Sequence, residues 1–204
     1  MTQAKTRRDR NAEATRRLIM RAGRELFATQ PYPDVTNPQI CARAGVTRGA
    51  LQHHFGNKLG LFTAVFDGLQ NDVVSRVMDA VTDHHDPWEQ ARAAIVAYLD
   101  ACTAPDYQTV VLKEAPAALG WQRWRERHMD DFAGAARELI GNFAAGDLIK
   151  HSPVMFAALV RGALTELSFQ IARSDDQTQA RTAALVILDD LMFRFRELSS
   201  GPRR

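Results

Sequence analysis

Apolar residues recur at helical spacing from the first quarter of the chain almost to its end. Leu18, Ala22 and Leu26 fall at i, i+4 and i+8, with Ile19 and Phe27 widening the stripe, which predicts a helix over about 11–29. Gln30-Pro31-Tyr32-Pro33 stops it, because two prolines in three residues cannot continue a helix. From Val35 to Leu61 the pattern shortens into two brief helices joined by a glycine turn. Thr36 and Gln39 have capping-box spacing, Pro38 suits an early helical position, and Ala44-Gly45 ends the first helix behind its apolar anchor Ile40. Val46 packs the turn, Thr47 is a second N-cap, and Leu51 and Phe55 lie four apart on one face. Arg48 and Gln52 share a different side, with Gly49 and His53 beside them. A short polar helix after a tight glycine turn is what a helix-turn-helix offers to a major groove.

Beyond that motif, Phe62, Val65-Phe66, Leu69, Val73, Val77 and Val81 predict a helix over about 59–81. His84-His85-Asp86 breaks it, and Asp86-Pro87-Trp88-Glu89 begins another with an N-cap, an N1 proline and a reciprocal acidic N3, running to about Cys102. A stretch from Pro105 to Leu119-Gly120 should kink or break at Pro116. A further helix is expected over about 121–144, ending near Gly146, and Ser152-Pro153 restarts the chain. Helices over about 152–173 and 177–198 carry apolar residues around more than one face, more than a monomer core usually needs. The expectation is an all-α fold of about nine helices: a three-helix N-terminal domain over 1–58 with a basic arm, and a helical domain over 59–204.

Charge sharpens this division. The chain of 204 residues has a net charge of +2, but residues 1–58 hold 11 of its 26 Lys and Arg and only 4 of its 24 Asp and Glu. A basic N-terminal part on an otherwise acidic chain suggests that the first meets a polyanion. Residues 1–10 are either a solvated tail or an arm whose Lys5, Arg7, Arg8 and Arg10 add phosphate or minor-groove contacts. Cys41 and Cys102 have no CxxC partner or metal-ligand spacing, which argues against a disulfide scaffold or a zinc site. The N-terminus lacks an apolar h-region and no apolar run approaches 18 residues, so the chain reads as cytoplasmic, with no membrane partner.

The segment from about Arg17 to Val65 resembles the DNA-binding domain of TetR/AcrR-family transcriptional regulators. The resemblance rests on Leu18, Ala22, Leu26-Phe27, Tyr32, Thr36, Ile40, Ala44-Gly45-Val46, Leu51, His54-Phe55, Lys58 and Leu61-Phe62 in one register. Gln52 departs from it, standing where the family usually carries a phosphate-contacting tyrosine, as does Leu59, where an acidic residue often follows the lysine. Leu112–Glu126 (LKEAPAALGWQRWRE) is similar to a segment in the C-terminal domain of a common subgroup. The resemblance implies a ligand-responsive, sequence-specific DNA-binding regulator, a homodimeric repressor released from a pseudo-palindromic operator by a small molecule. It also implies that the helix over 59–81 transmits motion and that the last two helices pair with their copies. An activator of the same fold is the alternative; a different class would be a helical small-molecule-binding protein or enzyme.

Within the motif, Arg48 is the first choice for reading a base, since Arg on guanine is the commonest such pairing. Gln52 would pair with adenine or contact a phosphate, Gly49 would allow close backbone approach, and Thr47, Ala50, His53 and His54 are secondary contacts. Lys58 is expected to clamp a phosphate, and Thr36 either bonds one or only caps its helix. The His53-His54 and His84-His85 pairs are poor chelators, since adjacent helical residues diverge by about 100°. Asp175-Asp176 and Asp189-Asp190 read as turn and helix-surface charges. No GxSxG, Walker or GxGxxG pattern occurs, so no catalytic residue, metal or cofactor is expected. Trp88, Tyr98, Trp121, Trp124, His128, Phe132 and Phe156 are the candidates to line an effector pocket, with plain core packing as the alternative for each.

Overall fold

The computed structural model describes residues 7–128 and 152–200, which form nine helices, a single 3-10 turn and no strand. The expected helix over 121–144 is therefore seen over 121–128; its remainder, the stop near Gly146 and Phe132 lie outside the described residues. Two compact units emerge, one built from residues up to Leu69 together with Pro105–Trp124, the other from Gln70–Ala104 and residues from Arg125 onward.

In the first unit, α1 spans Arg7–Thr29 and the 3-10 turn spans Tyr32–Asp34. Helix α1 starts four residues earlier than its apolar stripe predicts, taking Arg7, Arg8 and Arg10 into its first turns with Asp9 near its positive end. The buried stripe is Ile19, Ala22, Gly23 and Phe27, while Leu18 is 52 % exposed. Leu18 and Ile19 are adjacent on a 3.6-residue period, so only one can face the core, and it is Ile19. Helices α2 (Asn37–Ala44) and α3 (Arg48–Phe55) follow. Thr36 Oγ1 accepts from the Gln39 N–H at 3.4 Å, and Gln39 Oε1 accepts from the Thr36 N–H at 2.7 Å, closing the capping box. Gly45 ends α2 at φ 66, a left-handed position natural to glycine.

Helix α4 (Lys58–Val81) begins one turn after α3. The Asn57 side chain accepts from the Gly60 N–H at 2.8 Å, capping α4. A Cβ at Gly60 would lie 2.1 Å from the Phe55 carbonyl oxygen, so the α3–α4 corner can close only around a glycine. Phe27, Tyr32 and Phe62 fill the space beneath it, with Phe62 edge-on to Phe27 at 5.0 Å and to Tyr32 at 4.8 Å.

Helix α6 comprises Pro105–Tyr107, a π-helical run Gln108–Glu114 and Ala115–Leu119, and packs on α1. Pro116 neither breaks nor ends it. A proline ring collides with the carbonyl four residues back and supplies no N–H. Here the preceding turn is widened, and the Ala115 N–H reaches the Val110 carbonyl, five residues earlier. Arg24 pairs with Asp106 at 2.8 Å, Glu114 accepts from the Tyr32 N–H at 2.9 Å, and Trp124 Nε1 donates to the Val111 carbonyl at 2.8 Å. A segment that follows α5 in the chain thus belongs to the compact unit of the motif.

The second unit contains α5 (Pro87–Cys102), α8 (Pro153–Arg173) and α9 (Gln177–Ser200), with the later turns of α4 and the later residues of helix α7 (121–128). Asp86 caps α5 by accepting from the Trp88 and Glu89 N–H groups at 2.9 and 3.1 Å. The expected reciprocal contact from Glu89 is replaced by an approach of its carboxylate to His84 Nδ1 at 3.7 Å. Arg92 forks onto Asp189 at 2.8 and 3.0 Å, and Arg181 pairs with Asp100, so two ion pairs tie α5 to α9. Gly60→Ala should lower the melting temperature of the full chain by many degrees, because backbone rather than a flexible side chain would have to move. Thermal unfolding followed by circular dichroism checks this; a variant melting like the parent would show that the corner tolerates a Cβ.

Candidate functional site

The outer face of α3 is polar and accessible. Leu51 is buried and Phe55 half-buried, which turns Arg48, Gly49, Gln52 and His53 outward, all exposed; Ala50 and His54 are half-buried beside them. Thr47 is exposed and caps α3, its Oγ1 accepting from the Ala50 N–H at 3.2 Å. The His53 and His54 rings meet edge-on at 5.0 Å, and the guanidinium of Arg16 lies 5.3 Å from the Phe55 ring, so α1 braces the end of α3. No group of three or more potential metal ligands occurs among the described residues. A Cβ at Gly49 would meet nothing closer than Thr47 Oγ1 at 3.9 Å, so the fold does not require glycine there.

Lys58 differs from its expected role. It stands at the start of α4, where its Nζ donates to the carbonyls of Tyr32, Pro33 and Val35 at 2.9, 3.2 and 2.8 Å, 4.3 Å from the Tyr32 ring centre. An ammonium has three N–H donors. All three are spent inside the protein, which makes Lys58 a tie between the 3-10 turn and α4 rather than a phosphate clamp. Thr36 is exposed, but its hydroxyl donates to Gln39 Oε1 at 2.8 Å, so its proton is committed to the cap.

Basic side chains extend from this face along α1, where Arg7, Arg8, Arg10, Arg16 and Arg17 are exposed. Lys5 lies outside the described residues. Further along α1, Glu25 is held below the ordinary carboxylate range first by its bond to Arg43 and then by Arg21. Arg43 reaches it at 2.7 Å and Arg21 at 3.1 Å. These paired charges and the Arg24–Asp106 pair, together with the apolar Leu26 and Ala28, line a groove of about 610 Å³.

The expected pocket aromatics divide. Trp124 is buried at 1 % exposure in the first unit, and Trp121 stacks on it at 4.9 Å with 59 % of its own surface exposed. In the second unit, Trp88 is half-buried, and half-buried Phe156 lies edge-on to Phe195 at 5.9 Å across α8 and α9. Tyr98 and His128 are buried in a polar cluster whose other members the sequence reading missed. Gln70 Nε2 lies 2.9 Å from His128 Nδ1, Thr165 Oγ1 3.5 Å from His128 Nε2, and Ser168 Oγ 3.1 Å from the Tyr98 hydroxyl and 3.5 Å from Cys102 Sγ. A polar residue interrupting an apolar helical stripe, as Gln70 and Ser168 do, was the available signal. Burial lowers the His128 pKa to about 4 and raises that of Tyr98 well above its ordinary value.

A capped tri-helical head with an outward polar helix and a basic flank, on a chain that continues into a helical body, defines a helix-turn-helix DNA-binding protein. Residues 19–65 match the family model for bacterial regulatory proteins of the TetR family, and residues 88–195 match that of a tetracyclin repressor-like C-terminal domain. A TetR-family transcriptional regulator from Pectobacterium atrosepticum is 30 % identical, with a TM-score of 0.76 over 98 % of this chain and 100 % of that one. The transcriptional regulator TtgW of Pseudomonas putida is 40 % identical over 46 % of this chain and 67 % of its own. FadR from Bacillus subtilis, solved in complex with stearoyl-CoA, shares the fold at 15 % identity and a TM-score of 0.70, over 84 % of this chain and 96 % of its own. The chain belongs to the TetR family of transcriptional regulators.

Two predictions follow from single side chains. Lys58→Met should lower the melting temperature, while changing the salt slope of DNA binding by well under the roughly one unit that loss of a phosphate contact brings. A full unit of slope with unchanged stability would return Lys58 to the phosphate. His128 is neutral in the folded protein down to about pH 4, whereas unfolded chains protonate their histidines near 6.5. Its contribution is therefore complete above pH 6.5 and declines as pH falls toward 4, by roughly 3 kcal/mol at most. Urea unfolding at pH 7 and pH 4.5 should show that decline in the parent and a smaller one in His128→Gln; equal declines would place the sensitivity elsewhere.

Proposed function

We propose that the chain acts in the cytoplasm as a homodimeric repressor that leaves a pseudo-palindromic operator when a small molecule binds its body. Residues 1–58 read DNA and residues 59–204 bind effector and dimerise. The observation that carries the reading is the outward face of α3, with Arg48, Gly49, Gln52 and His53 exposed on a helix held by two caps. Arg48 reads a base edge, Gln52 an adenine or a phosphate, and Thr47, Ala50, His53 and His54 flank them. With Lys58 and the Thr36 hydroxyl engaged internally, backbone N–H groups at the start of α2 and the arginines of α1 supply phosphate contacts.

Dimerisation through α8 and α9 is supported by the apolar surface they leave open: Met155, Leu159, Val186, Ile187, Leu191 and Phe193 are each 47 % or more exposed. Contrary to the expectation from sequence, residues Val154–Arg173, with mean hydropathy 1.3, meet the length and composition of a membrane span. Arg161 and Glu166 interrupt them, and the open apolar surface continues onto α9, which favours a second copy over a bilayer. Two heads would then occupy successive major grooves about 34–36 Å apart. The competing reading, an enzyme or scavenging protein that uses the body alone, leaves the basic head without a task.

The test is binding of the purified protein to its own upstream DNA and to random DNA at near-physiological salt, with its mass in solution measured by sedimentation. A dimer with a strong preference for one sequence is expected, and Arg48→Ala should cost about 1–3 kcal/mol on that sequence but far less on random DNA. Equal losses on both would remove Arg48 from base readout, and no binding even at low salt would overturn the reading.

A further inference from the structure

The inward face of α8 is apolar except along one polar line. Ala157, Leu164 and Ile171 face inward with Arg161, Thr165 and Ser168 at steps of three or four residues. Ser168 bonds within the cluster around Tyr98, and Thr165 reaches toward His128. Arg161 does not join them: its Nε is buried and has no hydrogen-bond partner among the described residues. A buried guanidinium N–H without a partner forfeits hydration and recovers nothing, so native proteins rarely keep one without a use. The groups nearest it along the line are neutral at physiological pH, since burial holds His128 uncharged and Thr165 and Ser168 do not ionise. One positive charge on an apolar wall, with neutral hydrogen-bonding groups one and two turns further on, suits a ligand with one negative group and an apolar remainder.

We propose that Arg161 anchors the carboxylate of an apolar organic acid, and that monocarboxylates of this kind are the effector class of the body. The planar fork of the guanidinium matches two carboxylate oxygens, and the paired charges replace the hydration that Nε lacks. This rests on the second unit being the effector-binding body of the regulator.

The full chain is titrated calorimetrically with octanoate and benzoate, each against its alcohol (1-octanol, benzyl alcohol), and with inorganic phosphate. At least one acid should bind at least about tenfold more tightly than its alcohol. Arg161→Met should bring that acid down to the level of the alcohol, and Arg161→Lys should retain part of the difference. Without ligand, Arg161→Met should melt at the parent temperature or above, since no internal bond is lost. Equal binding of acid and alcohol, no binding of either acid, tighter binding of phosphate, or a marked loss of stability in unliganded Arg161→Met would each overturn the proposal. None of these titrations contains DNA. Failure here with operator preference intact removes only the acid anchor, whereas loss of operator preference removes the regulatory reading and leaves the titrations standing.

Discussion

The head depends on one ammonium group. Lys58 gathers three carbonyls of the turn between α1 and α2, and its charge lies against the Tyr32 ring. Those carbonyls belong to a proline-interrupted turn that cannot satisfy itself by helical hydrogen bonding. Left alone, they would need water at a place where Val35 is fully buried. The lysine answers that need and at the same time fixes the start of α4 against the turn. Tyr32 is thereby held edge-on to Phe62, and Phe62 against Phe27, so α1, the turn and α4 become one body. The direction of α3, and so of Arg48 and Gln52, follows from that body and from the corner that closes only at Gly60.

Helix α6 extends the same logic. Its π-helical run absorbs Pro116 without breaking, and so keeps Asp106 at one end and Glu114 near the other on the side of α1 and the 3-10 turn. A regular α-helical path would meet the proline ring with the Leu112 carbonyl, and a kink would move one of the two acidic groups off its partner. The widened turn preserves both bonds at once, which is a structural reason for tolerating a poorer hydrogen-bonding geometry over Gln108–Glu114.

Much of the fold was legible because helical stripes, caps and glycine turns are local signals. Thr36, Thr47, Gly45 and Asp86 could be placed from their neighbours alone, and the structure gives each its capping role. The misreadings of Lys58 and of the Leu18 stripe share one cause: they concern partners distant in sequence. Lys58 meets carbonyls 23 to 26 residues away, and nothing local distinguishes an inward lysine from a solvated one. Core packing and pocket lining stayed open for Trp124 in the sequence because its buried partner, the Val111 carbonyl, is 13 residues away. Leu18 and Ile19 were indistinguishable as anchors until the other helices chose a face. The exposed residues of α3 were readable for the opposite reason, since exposure on an eight-residue helix follows from the two positions that point inward.

The exposed apolar surface of α8 and the buried Nε of Arg161 belong to opposite faces of one helix, which constrains how the proposed regulator could respond. Leu159 and Arg161 are two residues apart, one 65 % exposed and the other inward with a buried, unpartnered Nε. Under the proposed function, a ligand that engages the inward face would act on the same rigid element whose open apolar surface would meet a second copy. A helix cannot rotate to improve one contact without altering the other, because side-chain direction is locked to the backbone period. In the proposed dimer, any differential affinity of a ligand for two positions of α8 would become a difference between two arrangements of the pair. That difference is the full extent to which the ligand can shift the population off DNA, however tightly it binds.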